Sequence, residues 1–294
     1  MEEKSLKNDF ENTLKYIKQN IEIIEEKKYM TGKLKGREKD LFESFEKEFK
    51  EKYEKYINMK RFSIPIIGMT SSGKSSFLNF LLDINCLETN TNITPKCVII
   101  IRHNKELKEN EKYIYSVKIN ERGDGLYNFE KDENTKNENV NEIISERNKL
   151  IKNMQSCEVP NKEDFFLIIE AKIPLFTKEN EKFGYFFEFL DLPGLDEGEK
   201  ESNNFKHSHF FKEQILPKIA EISLFSIFIF DAGKYLSENS PVIYKKYIDK
   251  YCPKNCDNSF FIMNKIDKMD NDKREKKNFR DEFLNKSLNI NIKN

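Results

Sequence analysis

Gly68-Met69-Thr70-Ser71-Ser72-Gly73-Lys74-Ser75 is the segment that constrains this chain most, because it satisfies the pattern G-x-x-x-x-G-K-[ST] between a predicted strand and a predicted helix. Before it, residues 62–67 form a short, mainly apolar run that is typical of a buried parallel strand. After it, apolar residues recur at helical spacing over residues 77–82. A strand, a tight turn and a helix start aim several backbone N–H groups and the positive end of a helix dipole at one point. The segment therefore predicts a site for phosphate oxygens.

Residue types within this loop have distinct chemical uses. Its two glycines allow the backbone to wrap closely around phosphate groups, and Lys74 is expected to reach the β- and γ-phosphates of a nucleotide. The Ser75 hydroxyl is a ligand for Mg²⁺ in this pattern. A random chain of this length would contain the pattern on the order of one time in a hundred, and the strand-turn-helix context lowers that frequency.

A second motif follows the next predicted strands in chain order. The strand predicted over residues 185–190 ends in Asp191-Leu192-Pro193-Gly194. Asp191 would hold Mg²⁺ through a water molecule, while the Gly194 N–H would sense the γ-phosphate. Thr94 stands just before the predicted strand at residues 98–101, where a loop could close over Mg²⁺ and the γ-phosphate. We therefore expect Ser75, Thr94 and Asp191 to be the metal ligands.

A third motif points to the base. The strand predicted over residues 260–263 ends in Asn264-Lys265-Ile266-Asp267, which has the form N-K-x-D. A carboxylate at Asp267 can accept hydrogen bonds from both N1–H and the N2 amino group of guanine, whereas adenine would leave it unpaired. Asn264 would brace the loop or bond the base, and the aliphatic stem of Lys265 would cover the face of the base. The three motifs in this order predict a guanine nucleotide site.

Composition sets limits on location and partners. Lys+Arg equals Asp+Glu at 51 each in 294 residues, so net charge gives no argument for nucleic acid as a partner. The longest apolar run, residues 222–230, is far too short to cross a bilayer core of about 30 Å. No apolar signal sequence follows the first residues, and five scattered cysteines suit a reducing compartment. We expect a cytoplasmic protein that is soluble or peripheral to a membrane.

The remaining pattern predicts an α/β fold of the P-loop NTPase kind, with a largely parallel sheet flanked by helices. Ahead of it, apolar stripes over residues 3–29 and about 38–58 predict a helical hairpin, so residues 1–60 are one element and residues 61–294 the nucleotide-binding domain. Residues 120–163 have the composition of a solvated insertion with a helix near 140–154. We also predict further helices and strands, at 113–119, 165–173, 208–220, 222–231, 241–251, 273–285 and 288–292. The chain is expected to stop before the loop that would finish the base pocket, as a fragment or an unusually short form.

The candidate site residues follow from the three motifs. The residues expected to contact the nucleotide are Gly68, Ser71, Ser72, Gly73, Lys74, Ser75, Ser76, Asp191, Gly194, Asn264, Lys265 and Asp267.

Over residues 61 to about 268 the chain resembles the dynamin superfamily of large GTPases. The resemblance rests on the Ser71-Ser72-Gly73-Lys74-Ser75 core of the phosphate loop and on the Asp-Leu-Pro-Gly sequence at 191–194. It also rests on the N-K-x-D motif and on the long stretch between Thr94 and Asp191. A helix ahead of the domain is also similar to the bundle element of that superfamily. The resemblance implies GTP and GDP as ligands, Mg²⁺ as cofactor and a homodimer formed through the nucleotide face, which stimulates hydrolysis.

The same resemblance implies a set of catalytic residues, Lys74, Ser71, Thr94 and Thr70. A monovalent cation, Na⁺ or K⁺, contacted partly by Ser71, would stand where other GTPases use an arginine finger, and Thr94 would help to position the attacking water. Thr70 occupies the place where dynamins carry Gln, which changes the water-positioning chemistry available there. Membrane remodelling, with a lipid partner bound through regions absent from this sequence, is implied by kinship alone.

Two alternatives remain open from the sequence. A GTP-dependent switch or scaffold that hydrolyses slowly is consistent with Thr70. ATP use is the other, because the chain also resembles the EH-domain-containing ATPases, whose corresponding loop carries Gly-Glu-Lys, here Gly198-Glu199-Lys200.

Overall fold

The computed structural model describes residues 61–87, 96–121, 127–153, 161–176, 181–196, 210–223, 225–232 and 259–265. The chain divides into two units, Met1–Lys60 and Arg61–Asn294, and every described residue belongs to the second. The predicted N-terminal hairpin, the predicted elements after residue 265, Thr94, Asp267 and residues 198–200 lie outside the described residues.

Eight strands of the described ranges form a single sheet. Their bounds are β1 Phe62–Gly68, β2 Val98–His103, β3 Lys112–Glu121, β4 Tyr127–Lys131, β5 Phe166–Ala171, β6 Phe187–Asp191, β7 Ile227–Asp231 and β8 Phe260–Asn264. Their order across the sheet is β4-β3-β5-β2-β6-β1-β7-β8. The strands in the middle of this order are almost entirely buried, as expected for strands whose two faces are both covered.

Four α-helices pack against the sheet in the described part of the chain. They are α1 Lys74–Leu82, α2 Val140–Asn153, α3 Glu181–Phe186 and α4 Leu216–Ile222, the last of which continues from a π-helical turn at Phe211–Ile215. None of the helices in these ranges is both long enough and apolar enough to pass through a membrane.

Strand direction determines which residues meet at one edge. Strands β6, β1, β7 and β8 are successive parallel neighbours, so their carboxyl ends lie side by side at Asp191, Gly68, Asp231 and Asn264. We call this the carboxyl edge. Strand β2 runs antiparallel to β6, which places its own carboxyl end, at His103, on the opposite edge of the sheet.

The predicted α/β fold is confirmed, but the sheet is mixed rather than largely parallel. Four strand pairs are parallel, and three are antiparallel: β2 with β6, β3 with β4 and β3 with β5. Apolar runs indicate burial without indicating strand direction, so the sequence pattern could not separate the two arrangements.

The largest differences from the sequence-based prediction concern three elements. Strand β4 lies within the segment interpreted as a solvated insertion, where Tyr127 and Phe129 are buried and alternate with more exposed neighbours. Strand β6 begins only at Phe187, because α3 precedes it. The strand predicted from residue 222 begins at Ile227, since α4 extends to Ile222; a short apolar run does not distinguish a buried helix end from a strand.

A buried ion pair crosses the sheet at its opposite edge. Both Nε and Nη2 of Arg102 in β2 donate to Oε2 of Glu188 in β6, at 2.9 and 2.7 Å, and the two side chains are only 7% and 3% exposed. The other carboxylate oxygen, Oε1, accepts a hydrogen bond of 2.7 Å from the Ser63 hydroxyl in β1. Arg102 also donates to the carbonyl of Phe129 in β4 at 2.8 Å. One charge pair thus links four strands far apart in sequence.

Candidate nucleotide-binding site

The loop that joins β1 to α1 lies at the carboxyl edge and contains two residues in the left-handed region, Ser71 with φ 61° and Gly73 with φ 97°. The Ser72 N–H donates to the Met69 carbonyl at 3.1 Å and closes a four-residue turn. Ser71 is the third residue of that turn, a position where positive φ normally requires glycine. Gly73 is the N-cap of α1, which begins at Lys74. The loop therefore has the strained, glycine-dependent backbone that a phosphate-binding turn requires.

The Lys74 side chain is held against the loop. Its ammonium donates to the carbonyls of Gly68 at 3.3 Å and Met69 at 3.0 Å, and the residue is only 6% exposed. A buried positive charge at the start of a helix, beside loop amides, provides the electrostatics that an anionic ligand needs.

The side chains of Asp191 and Ser75 are in direct contact. The Ser75 hydroxyl donates to Asp191 Oδ2 at 2.6 Å, and Asp191 is 1% exposed. Burial raises the pKa of the Asp191 carboxyl, while the charge of Lys74 and the bond from Ser75 act in the opposite direction.

Unpaired oxygens at this point test whether a metal ion fits. Within the described ranges, Asp191 Oδ1 and Ser72 Oγ are buried and have no hydrogen-bond partner. Buried polar atoms are normally satisfied, so such atoms at a site call for a ligand. The Asp191 carboxylate and the Ser75 hydroxyl that contacts it form the hard oxygen donor set that Mg²⁺ prefers. The residues present therefore fit the ion.

The segment after β6 is packed directly onto the phosphate loop. Leu195 N–H donates to the Gly68 carbonyl at 3.1 Å, and Asp196 Oδ1 accepts from the Thr70 N–H at 2.6 Å. A Cβ atom on Gly194 would lie 2.2 Å from the Thr70 hydroxyl oxygen and 2.7 Å from the Thr70 nitrogen, so only glycine fits. The two segments expected to face the γ-phosphate thus form one connected unit.

Two residues of the third motif also hold the loop. Asn264 Nδ2 donates to the Ser72 carbonyl at 3.0 Å, so Asn264 contacts the phosphate loop directly. The Lys265 ammonium donates to the Ser71 carbonyl and pairs with Asp231 Oδ2 at 2.8 Å. A Cβ atom on Gly73 would lie 2.1 Å from Asn264 Nδ2, which makes the close approach of the two segments dependent on glycine.

The structure brings together most of the predicted site residues and adds two. Those at the carboxyl edge or in the loop beside it are Gly68, Thr70, Ser71, Ser72, Gly73, Lys74, Ser75, Asp191, Gly194, Asn264 and Lys265. Ser76 is exposed in the first turn of α1. Asp196 and Asp231 were not predicted. Asp231 ends a strand in register with Asn264, a placement that a correct strand order would have indicated.

A strand-loop-helix unit with this sequence, and a strand-end aspartate bonded to its serine, defines a P-loop nucleotide-binding protein of the α/β class. A sequence model of the dynamin family matches residues 64–288. The chain therefore belongs to the dynamin family.

Two solved structures are similar to the chain, and both are described as an oligomerised bacterial dynamin pair that provides a mechanism for long-range sensing and tethering of membranes. One is 20% identical with a TM-score of 0.44 and is matched over 85% of this chain and 32% of that chain. The other is 21% identical with a TM-score of 0.28, over 84% and 36% respectively. The chain thus spans about a third of the length of these structures. None of the curated proteins matches it.

Proposed function

We propose that this chain binds GTP with Mg²⁺ at the carboxyl edge and hydrolyses it to GDP and phosphate. The observation that carries the proposal is the 2.6 Å bond between Ser75 and Asp191, beside a phosphate loop that Asn264 and Lys265 hold from the other side. Phosphate-binding, metal-binding and base-recognition motifs from three distant parts of the chain thereby converge. Membership of the dynamin family supports GTP as the substrate.

Positioning and charge neutralisation account for the chemistry, as is usual for phosphoryl transfer. Lys74 would place its ammonium on the β- and γ-phosphate oxygens, and backbone N–H groups of the loop would cradle them. Ser75, Asp191 and Thr94 would hold Mg²⁺, which when bound neutralises charge on the phosphate oxygens. Gly194 would direct its N–H toward the γ-phosphate, and Thr70 and Thr94 would orient the attacking water.

The proposal also includes self-association of the chain and a bound monovalent cation. A second copy would dock across the nucleotide face and stimulate hydrolysis, with Na⁺ or K⁺ near Ser71 in the place of an arginine finger. The protein would act in the cytoplasm at a membrane surface, with residues 1–60 as a helical bundle element. Sedimentation with liposomes, with and without a transition-state analogue of GTP, tests the membrane part.

Single-turnover hydrolysis measured over a range of protein concentrations tests the central proposal. A rate that rises with protein concentration is the expected result, because the active form is the assembled one. A slow rate that stays flat would favour the second candidate, a GTP-dependent switch. That candidate draws support from Thr70, whose N–H is bound by Asp196 and whose side chain is in close contact with Gly194.

Replacing Asp267 with Asn is expected to weaken GTP binding by at least about tenfold and to favour a xanthine nucleotide. The amide would offer a donor where guanine also presents a donor, whereas xanthine has an oxygen at that position. Parallel titrations of wild type and Asp267→Asn with GTP and XTP make the comparison. Unchanged GTP affinity in the variant would mean that guanine is recognised elsewhere.

A further inference from the structure

We propose that Asp231 is a positioning residue of the nucleotide site, which acts through Lys265 to hold the phosphate loop at Ser71. The inference rests on the proposed function, because its effect is on nucleotide binding. Neither the phosphate-loop motif nor the two later motifs include Asp231.

Strand pairing places Asp231 beside the third motif. It is the last residue of β7 and lies in register with Asn264, the last residue of β8; the next backbone N–H, of Ala232, donates to the Asn264 carbonyl at 2.9 Å. The Asp231 side chain is only 5% exposed, and its Oδ2 lies 2.8 Å from the Lys265 ammonium. A buried carboxylate this close to an ammonium restricts where that ammonium can go. Asp231 therefore fixes the direction of the Lys265 side chain.

The Lys265 side chain, which Asp231 holds in this direction, contacts one carbonyl group of the phosphate loop. Its ammonium donates to the carbonyl oxygen of Ser71, the residue held at φ 61°. Residues other than glycine disfavour this region, so Ser71 needs outside contacts to stay there. Fixing the Ser71 carbonyl also fixes the peptide that follows it, whose N–H closes the turn onto Met69. The ion pair thus stabilises the strained turn.

The neighbouring carbonyl is held in the same way by a second side chain. Asn264 donates to the carbonyl of Ser72, so two successive loop carbonyls are bound by adjacent residues at the end of β8. In a trans peptide the N–H points opposite to the C=O. The Gly73 N–H is therefore directed away from Asn264, as a loop that presents its amides to an anion requires. Without Asp231, the Lys265 ammonium would no longer be held in place, and only the Asn264 contact with the Ser72 carbonyl would keep a fixed donor.

Nucleotide binding in the full chain tests this role. With a fluorescent GDP analogue and Mg²⁺ as the probe, Asp231→Ala is expected to lower the affinity by about tenfold, the loss typical of one charge-assisted contact. Asp231→Asn keeps the side-chain shape and removes the charge, and it should show a similar loss even if alanine disturbs packing. In a Lys265→Met background, the contacts of Lys265 with Asp231 and Ser71 are already absent. Asp231→Ala is therefore expected to have little further effect there.

A rescue variant separates positioning from a general structural role. Glycine adopts positive φ without penalty, so Asp231→Ala should lower the affinity much less in a Ser71→Gly background, measured against Ser71→Gly alone, than in the wild-type background. Glu170→Gln is the matched control, because it alters another ion pair of a buried carboxylate, with Lys131, at the opposite edge of the sheet, and should leave affinity unchanged.

Several results would overturn the inference while leaving the proposed function intact. They are wild-type affinity in both Asp231 variants, a full additional loss from Asp231→Ala in the Lys265→Met background, or an undiminished loss from Asp231→Ala in the Ser71→Gly background. A wild-type chain that binds no guanine nucleotide would instead overturn the proposed function together with this inference.

Discussion

Replacement of Lys74 by alanine is expected to lower the affinity for GTP by at least about a hundredfold. The change removes the charge expected to meet two phosphate groups, and each charge-assisted hydrogen bond contributes about 1.5–3 kcal/mol. The ammonium is already held at the loop by the carbonyls of Gly68 and Met69, so little of its freedom remains to be lost when a nucleotide binds. A titration with a fluorescent GTP analogue measures the effect.

Lys131→Ala provides the control for Lys74→Ala. Lys131 also makes charged contacts, with Glu133 and Glu170, but Glu170 lies near the end of β5 at the opposite edge of the sheet. Its replacement should leave GTP affinity unchanged. Equal affinity of wild type and Lys74→Ala would remove the assignment of the phosphate loop.

Replacement of Glu188 by alanine is expected to reduce the free energy of unfolding by about 3–5 kcal/mol. The variant leaves the guanidinium of Arg102 buried without its counter-charge and leaves the Ser63 hydroxyl without its acceptor. An uncompensated buried charge is costly, because neither water nor a partner solvates it. Urea unfolding, analysed by linear extrapolation, measures the loss.

Two further variants sharpen the Glu188 experiment. Replacing both partners, as Arg102→Met with Glu188→Leu, should recover much of the stability, since the buried guanidinium of Arg102 is removed together with its partner. Glu121→Ala breaks an exposed pair with Lys162 and should change stability by less than about 1 kcal/mol. A Glu188→Ala loss as small as that of Glu121→Ala would mean that the buried pair does not stabilise the sheet.

Local sequence patterns were sufficient to predict the elements that build the site. The phosphate loop could be located because its glycines, lysine and serine each meet a separate chemical demand within eight residues. The end of β6 at Asp191 and the end of β8 at Asn264 were also predictable, since an apolar run followed by a polar motif indicates where a buried strand stops.

Such local patterns could not predict the contacts between segments that are distant in the sequence. Asp196 binds a loop amide 126 residues earlier in the chain, and no spacing rule relates the two positions. Asp231 could be linked to Lys265 only once β7 and β8 were known to be parallel neighbours. The antiparallel placement of β2 against β6 has the same origin, because strand direction is set by tertiary packing rather than by composition.

Competition of unlabelled GTP and ATP against a fluorescent GDP analogue bound to the wild-type chain tests the central claim most directly. The proposed guanine site predicts that GTP displaces the probe at concentrations at least about a hundredfold lower than ATP does, because adenine cannot supply the donors that the base-recognition motif is built to accept. Equal displacement by ATP would contradict the claim and would assign the chain to the ATP-using alternative.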